Sequence, residues 1–236
     1  MGPQQGFWVN ETGMCPEAGG SKKFACSRPR WHGIIPGFMD RYAFFEEMAE
    51  DAAPLAFRAE HELRIERLRE RLGDLRGKRV VEPGCGAGPL TRRLADWVGP
   101  KGTLLALDAC PGMVQHCRRE VASRDHVRVV HGPAEALELV PAAWDLILCF
   151  RFYPHVADPA AFLARCEAWL APGGELVVAN LEGSRELNAM HARLAGVYND
   201  RMPSGSELSA FLRKAGWRVG DVIDEPEEFF LRARRA

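Results

Sequence analysis

The residues best equipped to do chemistry stand where an apolar run, RVVEP, hands over to a helical pattern, LTRRLADWV; between them lies Glu82–Gly88, EPGCGAG. Glycine lacks a Cβ, so Gly84, Gly86 and Gly88 let a ligand press against the backbone. The N–H groups that open a helix have no partner within it and are available to that ligand. The next apolar run, LLALD, ends in Asp108, roughly twenty residues further on, where a carboxylate takes both hydroxyls of a ribose. The glycine loop and this carboxylate together predict an adenosine-binding site.

Two positions decide which adenosine compound it takes. Glu82, two residues before the first glycine, repels a pyrophosphate and suits a ligand bearing an ammonium and a sulfonium. Pro89 stands where a dinucleotide fingerprint has glycine or alanine. Both disfavour the alternative of a nicotinamide-dependent oxidoreductase. A third reading, a non-catalytic binding or scaffold protein on the same fold, predicts weak or absent cofactor binding. Cys85 reads as a small loop residue, since no base adjoins it to make it a nucleophile.

Elements that position these residues follow from periodicity. Helical spacing predicts helices over Phe38–Ala53 and Leu55–Leu75, the second with Leu63, Leu68, Leu72 and Leu75 near one face and ending at Gly77. Apolar strands and amphipathic helices then alternate from Arg79 to Gly216, the pattern of a parallel sheet covered on both faces, with a helix expected over SRELNAMHARLAGVY. Two strand-like runs, WRVGDVIDEP and EEFFLRARR, follow with no helix between them and predict an antiparallel C-terminal hairpin. The expected fold is α/β, doubly wound and Rossmann-like, with a seven-stranded, mostly parallel sheet. Residues 1–37 read as an irregular arm able to act as a lid, and residues 38–236 as the cofactor-binding domain, with helices over 38–76.

EPGCGAG resembles the first motif of the class I S-adenosylmethionine-dependent methyltransferases, acidic-x-G-x-G-x-G, at every fixed position. The resemblance extends through LDACPGMVQHCRRE, WDLILCFRFYPHVADPAAFLARCEAWLAPGG and ELVVAN, and covers roughly residues 38–236. It implies S-adenosylmethionine as cofactor and S-adenosylhomocysteine as product. It further implies that Glu82 orients the methionine moiety, Gly84, Cys85 and Gly86 back the cofactor, and Asp108 binds the ribose. Ala109 and Met113 would lie along the adenine, and Phe150 would line the sulfonium end unless it is only core. The family often places an acidic residue after the third strand; here the sequence is HGPAEAL, so the adenine amino group is left to backbone at Ala134 or Glu135.

Methyl transfer from a sulfonium is an in-line displacement, and needs a base only when the acceptor must lose a proton. Arg151, Tyr153 and His155 in FRFYPHV are candidates to clamp an anionic acceptor, hydrogen-bond it and act as base; His155 is otherwise a structural histidine of the turn. Asn180 and Glu182 lie near the fifth strand's end, and His191, on a helix placed to lid the pocket, is a second base candidate or a structural residue. Tyr198 and Trp217 read as packing. Cys15, Cys26 and His32 lack the paired spacing of a zinc site, and no metal is expected.

A formal net charge of -1 with dispersed basic residues gives no concentrated positive face for nucleic acid. No apolar run reaches the length of a membrane span, and seven cysteines set in apolar patterns suit a reducing, cytoplasmic setting. The expected partner is a small-molecule substrate, and a homodimer through the arm or first helices is compatible with the sequence.

Overall fold

The computed structural model describes residues 38–50 and 56–235, so the predicted arm, with Trp31, His32 and its two cysteines, lies outside the described residues. The order is α1 (Phe38–Glu50), α2 (Ala59–Leu72), β1 (Arg79–Pro83), α3 (Pro89–Val98), β2 (Thr103–Asp108), α4 (Pro111–Glu120), β3 (Val127–His131), β4 (Trp144–Phe150), α5 (Pro159–Trp169), β5 (Leu170–Asn180), α6 (Ser184–His191), α7 (Gly205–Lys214), β6 (Trp217–Glu225) and β7 (Glu228–Arg235). The seven strands form one sheet in the order β3-β2-β1-β4-β5-β7-β6. β1 to β5 pair in parallel, and β7 runs antiparallel between β5 and β6.

Successive strand residues face opposite sides of a sheet, so near-uniform apolar runs are required when both faces are covered. Val81, Leu105, Ile147, Val178 and Phe229 pack with α5, α6 and α7 on one face. Their neighbours Val80, Leu104, Leu146, Val177 and Phe230 pack with α2 and α3 on the other. Asp224 on β6 accepts from the backbone N–H of both Ser184 (2.7 Å) and Gly205 (2.9 Å), so one carboxylate caps the starts of α6 and α7.

Several expectations need correction. α2 ends at Leu72, because Gly73 adopts φ +72° and turns the chain before Gly77. Its buried seam is Ile65, Leu68 and Leu72, continued by Leu75, at 3-4-3 spacing; Leu63 falls off that stripe and is 69% exposed. α6 stops at His191, and the chain continues in turns to Asp200. Trp217 is buried packing as expected, but Tyr198 on those turns is exposed.

α1 lies across the carboxyl edge of the sheet. Glu46 accepts from the Cys110 thiol (2.8 Å) and the Gly112 N–H (3.3 Å), and His116 Nε2 bonds the Ala49 carbonyl (2.9 Å), tying α1 to the start of α4. On its other side Phe44 sits so closely over Gly196 that a Cβ there would overlap its ring. Gly196→Ala should therefore lift α1 while leaving the sheet intact: limited proteolysis within residues 38–50 is expected to accelerate severalfold and Tm to fall, and unchanged cleavage would show that α1 does not depend on this contact.

Candidate active site

A cavity of about 550 Å³ opens at the carboxyl ends of β1, β2, β4 and β5, under α1 and beside α6. This is the edge at which doubly wound sheets bind ligands. Glu82, Gly84, Cys85, Gly86, Asp108, Ala109, Met113, Ala134 and Phe150 all line it.

The glycine loop is held by the carboxylate it was expected to accompany. Asp108 Oδ2 accepts from the Gly86 N–H and Oδ1 from the Cys110 N–H, both at 2.9 Å. Each carboxylate oxygen has a further lone pair to offer. Burial raises the Asp108 pKa, and these backbone bonds work against that rise. Gly84 has φ +70°, and a Cβ there would run into the Phe152 ring, so the loop must be glycine for both conformation and space. Gly88 at φ +91° is the N-cap of α3 and abuts Cys117.

Glu82 is 2% exposed, and its Oε2 has no hydrogen-bond partner among the described residues. Burial pushes its carboxyl up to about 8, against the hydrogen bond from the Thr91 hydroxyl and with the charge of Asp108 adding to the rise. A buried, unsatisfied carboxyl at the cavity wall fits a cationic ligand, which supplies the missing charge partner. Cys85 is buried; the neighbouring Cys117 and burial hold its thiol well above the ordinary range, so it is no nucleophile.

The residues named as acceptor-side candidates are divided. His155 and His191 line the cavity with ring centroids 5.4 Å apart. Arg151 lines it too, at φ +52°, a left-handed conformation that costs a non-glycine residue about 1 kcal/mol or more. Tyr153 does not: it is packed in the core, where burial raises its pKa, and does not face the cavity. Asn180 lines the cavity; Glu182 is turned toward Arg64, 3.8 Å away.

Sequence reasoning missed the group that organises these side chains. Asp200, 6% exposed, accepts from His155 Nδ1 (2.6 Å) and from Arg41 through Nε (2.8 Å) and Nη2 (2.6 Å). Arg41 Nη1 also donates to the His155 carbonyl (2.8 Å), and His191 Nδ1 bonds the Asp200 carbonyl oxygen (2.6 Å). Burial works to raise the Asp200 pKa, but hydrogen bonds from His155 and Arg41 prevail and hold it low. Burial lowers the His155 pKa below 6.5 even though Asp200 opposes the shift, so the imidazole is neutral at pH 7. With Nδ1 bonded to a carboxylate, the proton sits on Nδ1, and Nε2 has no partner among the described residues. Asp200 lies 45 residues from His155 and Arg41 a further 114 away, so no local motif announces them.

The strand order, the glycine loop and its carboxylate define a nucleoside-cofactor enzyme of the Rossmann-like type. A methyltransferase-domain family model matches residues 80–174. The ubiquinone biosynthesis O-methyltransferase of Xanthomonas euvesicatoria pv. vesicatoria is 30% identical over 173 residues, covering 68% of this chain and 70% of that protein. That of Sodalis glossinidius is 33% identical over 163 residues, covering 66% and 64%. Among solved structures, a SAM-dependent methyltransferase from Aquifex aeolicus superposes with a TM-score of 0.66 at 23% identity, over 78% of this chain and 97% of that one. A DhpI–SAH complex gives 0.64 at 20% identity, over 84% and 97%. The chain belongs to the class I S-adenosylmethionine-dependent methyltransferases, and S-adenosylmethionine is its cofactor.

Glu82 carries a stability consequence. Its pKa is about 8 when folded against 4.5 for the free residue, so the folded chain holds a proton that the unfolded chain releases. Its contribution is fully present below pH 4.5 and is lost as pH rises through about 8, by on the order of several kcal/mol. Glu82→Gln should thus gain stability over the unliganded wild type progressively from pH 5 to 8 in denaturant melts; a pH-independent difference would contradict a buried protonated Glu82.

Proposed function

We propose that this enzyme methylates a hydroxyl group of a small molecule, with His155 as the general base. The observation that carries this reading is the Asp200–His155 pair on the cavity wall, with a neutral imidazole whose Nε2 is unclaimed. When bound, S-adenosylmethionine supplies an electrophilic methyl group on a sulfonium, which the acceptor displaces in line.

The chain's own residues divide the work. Asp108 holds the ribose hydroxyls through its remaining lone pairs, and Gly84, Cys85 and Gly86 back the cofactor. Ala109, Met113 and Ala134 bound the adenine, Glu82 takes the cationic amino-acid end, and Phe150 lines the reacting side. Asp200 fixes the His155 tautomer so that Nε2 accepts the hydroxyl proton, as an aspartate does for a catalytic histidine elsewhere. His191, bonded to the Asp200 carbonyl, positions that loop. α1 with Phe44, Phe45 and Met48 covers the cavity and excludes water. The curated relatives named as O-methyltransferases support an oxygen acceptor. The apolar cavity wall and the net charge of -1 support a small molecule over nucleic acid. Among the described residues five buried free thiols support a cytoplasmic setting, and no helix there is long and apolar enough to cross a membrane.

The test is the pH dependence of S-adenosylhomocysteine formation with phenolic acceptors. Because His155 titrates below 6.5, wild-type turnover should be flat near neutrality and fall as pH drops below 6.5. His155→Gln should lose that limb and roughly 10²–10⁴-fold in kcat while keeping cofactor affinity. A variant with wild-type rate and pH profile would remove His155 from the mechanism.

A further inference from the structure

Among the described residues three guanidinium groups line the cavity, and two are already engaged. Arg41 is committed to Asp200 and the His155 carbonyl. Arg58 is 70% exposed and stands 3.9 Å from Glu60. The half-buried Arg151 side chain has neither an ion pair nor a hydrogen bond among the described residues. Its backbone is nonetheless fixed, since the Arg151 N–H donates to the Ala179 carbonyl (2.9 Å) and holds the residue at φ +52° just past the end of β4. A strained conformation maintained in a cavity wall marks a position where placement of the side chain matters.

An independent observation falls on the adjacent strand. Phe150 pairs with Ala179 in the parallel β4–β5 ladder, and the Arg151 N–H bonds the Ala179 carbonyl, so Arg151 and Asn180 follow directly at the ends of adjacent strands. Asn180 is 4% exposed, and among the described residues its Oδ1 is a buried acceptor with no donor, while its Nδ2 contacts only Met202 Sδ at 3.9 Å. A buried, unsatisfied amide oxygen at a cavity wall calls for a donor on a ligand. An unpaired cation beside a donor-seeking oxygen is a two-point recognition element.

Building on the proposed hydroxyl methylation, we propose that Arg151 and Asn180 form a subsite for a carboxylate carrying an O–H or N–H donor on the adjacent carbon. The acceptor is then a hydroxylated aromatic acid of α-hydroxy or α-amino type. Its carboxylate pairs with Arg151, its α-donor bonds Asn180 Oδ1, and its ring lies among Phe44, Phe45, Phe57 and Phe152.

The experiment is calorimetric binding to the S-adenosylhomocysteine complex, which reads the subsite without turnover. The probes are 4-hydroxyphenyllactate, 3-(4-hydroxyphenyl)propionate, which lacks the α-donor, and 4-hydroxyphenethyl alcohol, which lacks the carboxylate; L-tyrosine separates an amine from a hydroxyl donor. Wild type should bind the lactate at least about tenfold more tightly than either truncated probe. Arg151→Gln, which keeps the backbone strain unchanged, should erase the advantage over the alcohol. Asn180→Leu should erase only the advantage over the propionate. S-adenosylhomocysteine affinity serves as the folding control, with Asn180→Ala as a second variant. Equal binding of acid and alcohol, uniform weakening of all probes by Arg151→Gln, or no binding of any probe overturns the subsite. Methyl transfer measured on the same samples separates the two proposals, because selective binding without transfer would count against hydroxyl methylation alone.

Discussion

One carboxylate holds the site together. Asp108, at the end of β2, accepts from Gly86 in the loop after β1 and from Cys110 at the start of α4. It therefore fixes the glycine loop against the neighbouring strand and sets the direction in which α4 leaves the sheet. The start of α4 in turn anchors α1 through Glu46, so the roof of the cavity is referenced to the same point as its floor. Burying an ionisable group has a cost, and here backbone N–H groups offset it in part while lone pairs remain for ligand.

The proposed acceptor half depends on an analogous carboxylate. Asp200 binds a residue from α1, the histidine after β4 and, through its carbonyl, the histidine of α6. The roof helix and the proposed base thus share one partner: α1 cannot leave without unpairing a buried aspartate, and breaking such a pair from one side is strongly destabilising. Closure over the cavity and correct placement of His155 are one structural state. Glu82 represents the opposite balance, a buried group only partly satisfied among the described residues and, in the proposed function, completed by the cofactor's cationic end.

The sheet and the cavity lining at the ends of β1 and β2 were legible in the sequence because both are written locally. Strand limits at Arg79–Pro83, Thr103–Asp108, Val127–His131 and Trp144–Phe150 follow from apolar runs bounded by turn residues, and Glu82, the glycines and Asp108 sit at fixed offsets from strand ends. Helix limits were less legible where tertiary contact or a single glycine decided them, as at Gly73 and after His191. The proposed acceptor half was only partly legible. His155, His191 and Arg151 could be named from their position after strands, whereas Tyr153, next to them in sequence, points into the core. Asp200 and Arg41 escaped because their importance arises from a meeting of segments more than a hundred residues apart, 159 in the case of that pair.

The most direct test of this account is calorimetric titration of S-adenosylhomocysteine into wild type and Asp108→Asn, with thermal melts of both. Asparagine keeps an acceptor for one loop N–H but loses the charge and half the acceptor capacity. The account predicts saturable wild-type binding, at least about thirtyfold weaker binding in the variant, and a fold that still melts cooperatively. Equal affinity in the two proteins would contradict the claim that Asp108 both builds the loop and holds the cofactor.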